Sequence, residues 1–118
     1  MDPLEIDDFS IRIEESTDEF KIFWKGKCRL KDPQKNLSPF LEEVVQNSKD
    51  KILIVDFTDL SFTTSSTFPT LLKFMRNCSE QKIETKFIYD GTSRWQEVTF
   101  HSLNQVKRNL NHIEILPK

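Results

Sequence analysis

Residues 51–77 read KILIVDFTDLSFTTSSTFPTLLKFMRN. Ile52-Leu53-Ile54-Val55 is continuously apolar and mostly β-branched, the pattern of a strand buried on both faces, so Lys51–Phe57 is read as a central strand. Asp56 then reads as a strand-end residue and Asp59 as a turn residue. A run of hydroxyl side chains, Thr63 to Thr67, comes next, and Phe68, Leu71, Leu72 and Met75 recur after it at helical spacing. Pro69 fixes where that helix starts. With Ser65 as the cap, Pro69 would occupy a position whose backbone N–H should donate; with Ser66 as the cap it lies in the first turn, where that N–H is unpaired anyway. The helix is therefore expected to start after Ser66 and to end near Asn77 or Cys78. Hydroxyls at such a junction have two readings. One is a cap and a solvated turn. The other is a phosphorylation site beside the positive end of a helix.

On the N-terminal side, Phe9-Ser10-Ile11-Arg12-Ile13-Glu14 alternates apolar and polar residues, the mark of a half-buried strand. Phe20-Lys21-Ile22-Phe23-Trp24 is a second strand, and Ser16-Thr17-Asp18 turns between the two to make a hairpin. A continuation through Cys28-Arg29-Leu30 follows Gly26. Residues 1–8 are expected as a flexible arm. Lys31 to Leu37 reads as a polar loop, and Ser38-Pro39 as a helix start with Ser38 as the cap. Phe40, Leu41, Val44 and Val45 form that helix's apolar face, which ends near Ser48.

On the C-terminal side, Ile83 to Tyr89 is a strand followed by an Asp90-Gly91 turn. Thr99 is expected to cap a third helix with Phe100, Leu103, Val106 and Leu110 on one face. His112 to Leu116 is a short last strand. The order β-β-α-β-α-β-α-β places the chain in the α/β class, as a single domain over 1–118 with a central mixed sheet and flanking helices.

The 118 residues suit one core and are too few for two. Ten phenylalanines offset a modest apolar content of 36%. With a net charge of −2 and no basic run, nucleic-acid binding is not expected. No stretch approaches the roughly 20 apolar residues of a membrane span, and the acidic N-terminus has no signal-peptide core. A cytoplasmic location and free thiols at Cys28 and Cys78 are the expectations.

Few residues suggest chemistry. His101, His112, Cys28 and Cys78 lack the close pair spacings of a zinc site. Ser65 with His101 could be drawn as nucleophile and base, but no G-x-S-x-G elbow is present. The only glycines are Gly26 and Gly91, so there is no phosphate-binding glycine loop. No catalytic residue, metal or cofactor is expected. Trp95 has two readings, a cover for a core edge or an exposed partner anchor. Glu42, Glu43, Lys73 and Arg76 are read as lying on solvated helix faces.

The segment Ile52 to Phe74, together with the strand order, resembles the STAS domain, the fold of bacterial anti-sigma factor antagonists. In that family a strand ends in an Asp-containing turn and leads through a D-S-S-G-like motif into a Leu-rich helix. Thr64-Ser65-Ser66-Thr67 stands at the motif here, with Leu71 and Leu72 in the helix. The run Leu60-Ser61-Phe62-Thr63-Thr64-Ser65-Ser66-Thr67 and the later Trp95-Gln96 pair look like a bacterial subgroup of small STAS-like proteins. Members of that subgroup carry L-x-F-x-N-S-S-G before the helix and W-Q near the end.

The resemblance implies a non-enzymatic signalling module. It implies phosphorylation at Ser65, or at Thr64 as in some relatives, and partner binding through the Phe62–Phe74 loop and helix. Phe62, Thr63, Ser66, Thr67, Phe68 and Thr70 are the expected contact residues. The partner would be a serine kinase/anti-sigma factor or another GHKL-type regulator, with a phosphatase in the same pathway. Thr64 replaces the family's acidic residue and Thr67 its glycine. These departures keep open a constitutive scaffold or oligomer subunit that is never phosphorylated, and a small-ligand-binding domain remains a further alternative.

Overall fold

The computed structural model describes residues 1–118. In chain order the elements are β1 (Leu4–Ile6), β2 (Phe9–Glu15), β3 (Glu19–Cys28), α1 (Pro33–Asn36), α2 (Ser38–Asn47), β4 (Ile52–Thr63), α3 (Thr67–Glu80), β5 (Thr85–Tyr89), α4 (Arg94–Lys107) and β6 (Ile113–Pro117). The six strands form one mixed sheet whose spatial order follows their order in the chain. β1, β2 and β3 pair antiparallel, and β3 through β6 pair parallel.

All the helices lie on one face of this sheet. Phe9 and Ile11, Phe20, Ile22 and Trp24, Leu53, Val55 and Phe57, Phe87, and Ile113 and Ile115 alternate along their strands and belong to a single buried cluster. Leu41, Val44 and Val45 of α2, Leu71, Phe74 and Met75 of α3, and Phe100 and Leu103 of α4 fill the same cluster. This arrangement follows from the parallel crossovers. Right-handed connections that always step in the same direction across a sheet put every helix on the same side. The opposite face carries Arg12, Lys21, Phe23, Ile54, Lys86, Glu114 and Leu116, none of which is fully buried.

Phe57 is the centre of the aromatic core. Its ring centroid lies 4.8 Å from Trp24, 5.7 Å from Phe87 and 4.9 Å from Phe100. Phe57 thereby joins β3, β4, β5 and α4 through one side chain. Trp24 Nε1 is the one buried side-chain polar atom without a hydrogen-bond partner. That costs about 1–3 kcal/mol, which the burial of the indole between Phe9 and Phe57 offsets.

Several expectations are corrected. The arm expected over residues 1–8 contains a strand of its own, because Leu4 and Ile6 pair with Ile11 and Phe9 and rest on the core. The expected continuation of the second strand past Gly26 is present, but it ends at Cys28, and Arg29 and Leu30 lie outside it. Gly26 has φ +89, and a Cβ there would lie 1.9 Å from the Asp8 carbonyl oxygen. That oxygen accepts from Lys27 N at 3.1 Å, so the chain needs glycine where β3 meets the β1–β2 turn. Lys31 to Leu37 is not a plain loop: Asp32 caps the short helix α1, with its side chain accepting from Lys35 N and Pro33 just inside. Ser38 does not cap α2; it is the first helical residue, and its hydroxyl donates to Gln34 Oε1 at 3.0 Å. Leu110 falls beyond the end of α4.

The largest differences concern β4 and α4. β4 does not stop at Phe57 but runs to Thr63, which makes Asp59 a strand residue and not a turn residue. Against β3 it carries one extra residue at Phe57–Thr58 and another at Ser61. Side chains stabilise both bulges. Asp56 Oδ1 accepts from Thr58 N at 2.8 Å and from Thr58 Oγ1 at 2.7 Å, and Ser61 Oγ donates to Gly26 O at 3.0 Å. Bulges bend and re-aim a strand, and these carry the end of β4 out to the hydroxyl loop. α4 begins at Arg94 with Ser93 at the N-cap position, six residues before the expected cap Thr99, so Trp95-Gln96 lies in its first turn.

Candidate functional site

The hydroxyl run sits where β4 ends and α3 begins. Ser66 is the N-cap position of α3 and Pro69 falls in the first turn, as the proline argument requires. The Ser66 side chain does not cap the helix, however. Its hydroxyl donates to Leu30 O at 3.2 Å, and Thr64 Oγ1 donates to the same oxygen at 3.2 Å. The two hydroxyls are 3.0 Å apart. Each has one proton, so two of these three contacts are hydrogen bonds at any moment. Thr64 N also donates to Cys28 O at 3.0 Å. The loop is thereby tied to the segment that leaves β3.

Ser65 differs from its neighbours. It is exposed, and its hydroxyl makes no hydrogen bond within the chain. The backbone donors of the first turn of α3 point inward: Thr67 N bonds Thr64 O at 3.1 Å, Phe68 N bonds Ser65 O at 3.2 Å, and Pro69 has no N–H. The N–H groups of Ser65 and Ser66 have no partner within the chain. The unpaired donors are thus those of the loop, one position earlier than a simple helix-end picture predicts.

Two of the expected contact residues lie beneath this surface. Thr67 is 0% exposed, with its hydroxyl 3.8 Å from Cys28 Sγ, and Thr70 is 2% exposed. The reason is helical geometry: both positions face the sheet from the first turns of α3. Thr67, standing where the family motif has glycine, therefore adds no bulk outside. Phe62 is 44% exposed, Thr63, Thr64 and Phe68 are half-buried, and Ser66 and Pro69 are exposed. With Ser65, these residues make the accessible side of the junction, interrupted only at buried Thr67.

Gln96 is the residue whose role the sequence did not reveal. It is 1% exposed. Its Nε2 donates to Phe57 O at 2.7 Å and to Leu60 O at 2.8 Å, and its Oε1 accepts from Asp90 N at 2.8 Å. β5 pairs with β4 only as far as Asp56, so beyond it β4 has no strand on its β5 side. The Gln96 amide takes that place and holds the bulged strand against α4. The Trp95-Gln96 pair was the available signal, but its meaning depended on where α4 began. Trp95 itself is half-buried against the core.

The turn before α4 is fixed by Asp90, whose Oδ1 accepts from Thr92 N at 2.9 Å and from Thr92 Oγ1 at 2.6 Å. These bonds, the hydroxyl first, hold the Asp90 carboxyl below the usual carboxylate range. Burial pushes the Cys78 thiol up from an ordinary 9.0 to about 12. Cys28 and Cys78 are both free and buried. His101 and His112 lie apart, His112 pairing with Glu84, and no three His, Cys, Asp or Glu side chains converge as metal ligands do. No helix is long and apolar enough to cross a membrane.

No protein-family model and no curated protein matches the chain. Solved structures do match its fold. An anti-sigma factor antagonist from Mycobacterium paratuberculosis superposes with a TM-score of 0.65 at 13% identity, over 92% of this chain and 86% of that one. An uncharacterized protein of the DUF3478 family with a SpoIIAA-like fold, from Shewanella loihica, gives 0.55 at 19% identity, over 93% of this chain and 84% of that one. The chain has this SpoIIAA-like α/β fold, the one expected from the STAS resemblance.

Proposed function

We propose that this protein is a non-enzymatic signalling module that binds a protein partner through the accessible stretch from Phe62 to Phe68 and the start of α3. Its binding is switched by phosphorylation of Ser65. One observation carries the choice of residue. Ser65 is the loop hydroxyl that is exposed and unbonded, while those of Thr64 and Ser66 are engaged on the Leu30 carbonyl. A phosphate on Ser65 would breach no internal bond. It would place roughly −1.5 to −2 charges on the surface at neutral pH, and a partner covering it would have to desolvate that charge at a cost of several kcal/mol. Since 1.4 kcal/mol is already tenfold in affinity, binding would switch off with the fold intact. Thr64 is the second candidate; its modification would break its bond to Leu30 and loosen the loop.

The partner class that fits is the one of the fold's antagonist members: a serine kinase/anti-sigma factor or another GHKL-type regulator, with a phosphatase to reset the switch. The test is incubation with ATP in an extract of the protein's own cells, followed by peptide mapping and a binding assay on Ser65→Asp. Phosphate on Ser65 and loss of the partner with Ser65→Asp are the expected results. A loop free of phosphate, with Ser65→Asp binding as the wild type does, would overturn the switch. That outcome favours a second reading, a constitutive scaffold, which the fixed hydroxyls of Thr64 and Ser66 support as a purely structural turn.

A further inference from the structure

The sheet has two edges, β1 and β6. β1 is blunted: it has three residues, and the acids in and beside it, Asp2, Glu5, Asp7 and Asp8, are all exposed. Short length and charge both discourage pairing at such an edge. β6 lacks these protections over most of its length. Thr85 lies opposite Ile113, and Tyr89 opposite Pro117. Thr85 N bonds His112 O at 2.9 Å, and Lys118 N bonds Tyr89 O at 2.8 Å. The backbone groups of His112, Glu114, Leu116 and Lys118 therefore face β5, and those of Ile113, Ile115 and Pro117 face away from it. No turn or loop supplies a backbone partner for them, and the neighbouring side-chain bonds, Asn111 N to Ser79 Oγ and His112 Nδ1 to Glu84, go elsewhere. The side chains of Ile113 and Ile115 belong to the core, so the edge they present is backbone. Glu114 and Leu116 stand on the uncovered face of the sheet and are exposed.

We propose that β6 is a dimerisation edge on which a second copy of this chain docks its own β6, antiparallel, about a two-fold axis at Ile115. Such a contact is isologous and closed, and it adds strand to strand across the exposed edge. Each Ile115 N–H donates to the Ile115 oxygen of the other copy, and each Ile113 N–H donates to the other Pro117 oxygen. Pro117 has no N–H to return, so only the Ile113 oxygens stay with water. Glu114 selects this register. With Ile113 opposite Ile115, both isoleucines would be fully paired, but the two Glu114 carboxylates would stand directly opposite at the close, non-hydrogen-bonded position, where like charges are destabilising. Centred on Pro117, the seam would bring together two residues that cannot donate. Centred on Ile115, each Glu114 faces Leu116 of the second copy. The two Glu114 side chains are then diagonal neighbours, about 7–8 Å apart, and the other diagonal of each holds Lys118 of the second copy. Lys118 faces His112 of the second copy, whose ring is paired with Glu84. The edge is thus complementary to itself in one register, and the pairing does not depend on whether Ser65 is modified.

The test is sedimentation of the full chain from about 10 μM to 1 mM, the range in which small interfaces associate, with amide exchange measured at both ends. A monomer–dimer equilibrium is expected, and the amides of Ile113 and Ile115 should exchange more slowly at the high concentration. Leu116 faces Glu114 of the second copy twice in the dimer, so its substitutions should act in opposite directions. Leu116→Glu should weaken the dimer about fivefold or more, and Leu116→Lys should tighten it by a similar factor. Glu114→Lys/Leu116→Glu should restore the dimer that Leu116→Glu loses. Leu116 is 39% exposed, so the fold should persist, and the far-UV spectrum of each variant verifies this. A chain that stays monomeric up to 1 mM would overturn the proposal. So would a dimer indifferent to these substitutions, Ile115 exchange that does not slow on association, or growth beyond a dimer, which would mean that β6 pairs with β1 of the next copy in an open chain.

Discussion

The side-chain nitrogen of Gln96 lies 2.7 Å from the carbonyl oxygen of Phe57, joining the first turn of α4 to a strand bulge 39 residues earlier. Its second proton goes to Leu60 O, and its oxygen accepts from Asp90 N. Two buried carbonyls and one part-buried N–H thus depend on one amide. Gln96→Leu leaves all three without a partner, at about 1–3 kcal/mol for each orphaned group. A loss of about 3 kcal/mol or more in urea unfolding is expected. Gln96→Glu should be at least as damaging, because a carboxylate presents acceptors to two carbonyls. Wild-type stability for either variant would refute this account of Gln96.

Thr64 and Ser66 share the Leu30 oxygen. The pair Thr64→Val/Ser66→Ala removes both donors and should cost about 1–2 kcal/mol. Amide hydrogen exchange should quicken at Thr64, Thr67 and Phe68 and leave the strands unchanged. Exchange at an unaltered rate in the loop would mean that these hydroxyls do not hold it.

Ser65 is exposed and its side chain makes no internal hydrogen bond, so Ser65→Ala and Ser65→Asp should each shift stability by less than about 0.5 kcal/mol. Denaturant midpoints measured beside the wild type are sufficient. A large loss for Ser65→Asp would make the position structural and remove the premise of a switch that leaves the fold intact.

Gly26→Ala introduces a Cβ at φ +89 and 1.9 Å from the Asp8 oxygen, a rigid backbone atom. The expected cost is about 2 kcal/mol or more, combining backbone strain with displacement of the turn. Thermal unfolding reads it directly, and the amide signals of Asp8 and Lys27 should move with it.

Burial holds the Cys78 thiol at about 12, against an ordinary 9.0. The folded state therefore favours the neutral thiol. The stability this contributes is fully present below 9.0 and is lost as pH rises from there toward 12. Between pH 8 and 11 the unfolding free energy of the wild type should fall more steeply than that of Cys78→Ala, since other titrating groups are common to both. At pH 8 a thiolate fraction of about one in ten thousand also predicts that the folded protein resists disulfide-exchange reagents. Parallel pH profiles for the two proteins would contradict the burial effect.

The parts of the fold legible in the sequence were those where periodicity and local rules acted alone. The alternation Phe9–Glu14, the apolar run Ile52–Val55 and the position of Pro69 placed two strands and a helix start correctly, because each reports a constraint within a few residues. The mistakes share another cause. Locally, Asp56 reads as a strand end and Asp59 as a turn residue, which stops β4 at Phe57. In the structure Asp56 and Thr58 satisfy a bulge whose partner strand is β3. Thr99 offers a good local cap for α4, whereas the true start depends on Gln96, which is buried against carbonyls that no nearby sequence announces. The loop's hydroxyls were visible as a group, but their division into Thr64 and Ser66 on one side and Ser65 on the other depends on the carbonyl of Leu30, more than thirty residues away.

In this sheet each strand pairs with its neighbours in sequence, from β1 through to β6. No strand has to be inserted between two that are already paired. A ribosome could therefore deliver the sheet in the order in which it is assembled, each new strand being added at the growing edge with its crossover helix closing over the apolar face behind it. Such step-by-step growth limits the loop closure needed at each stage: β1 stays at one edge throughout, and the other edge is always that of the most recently made strand.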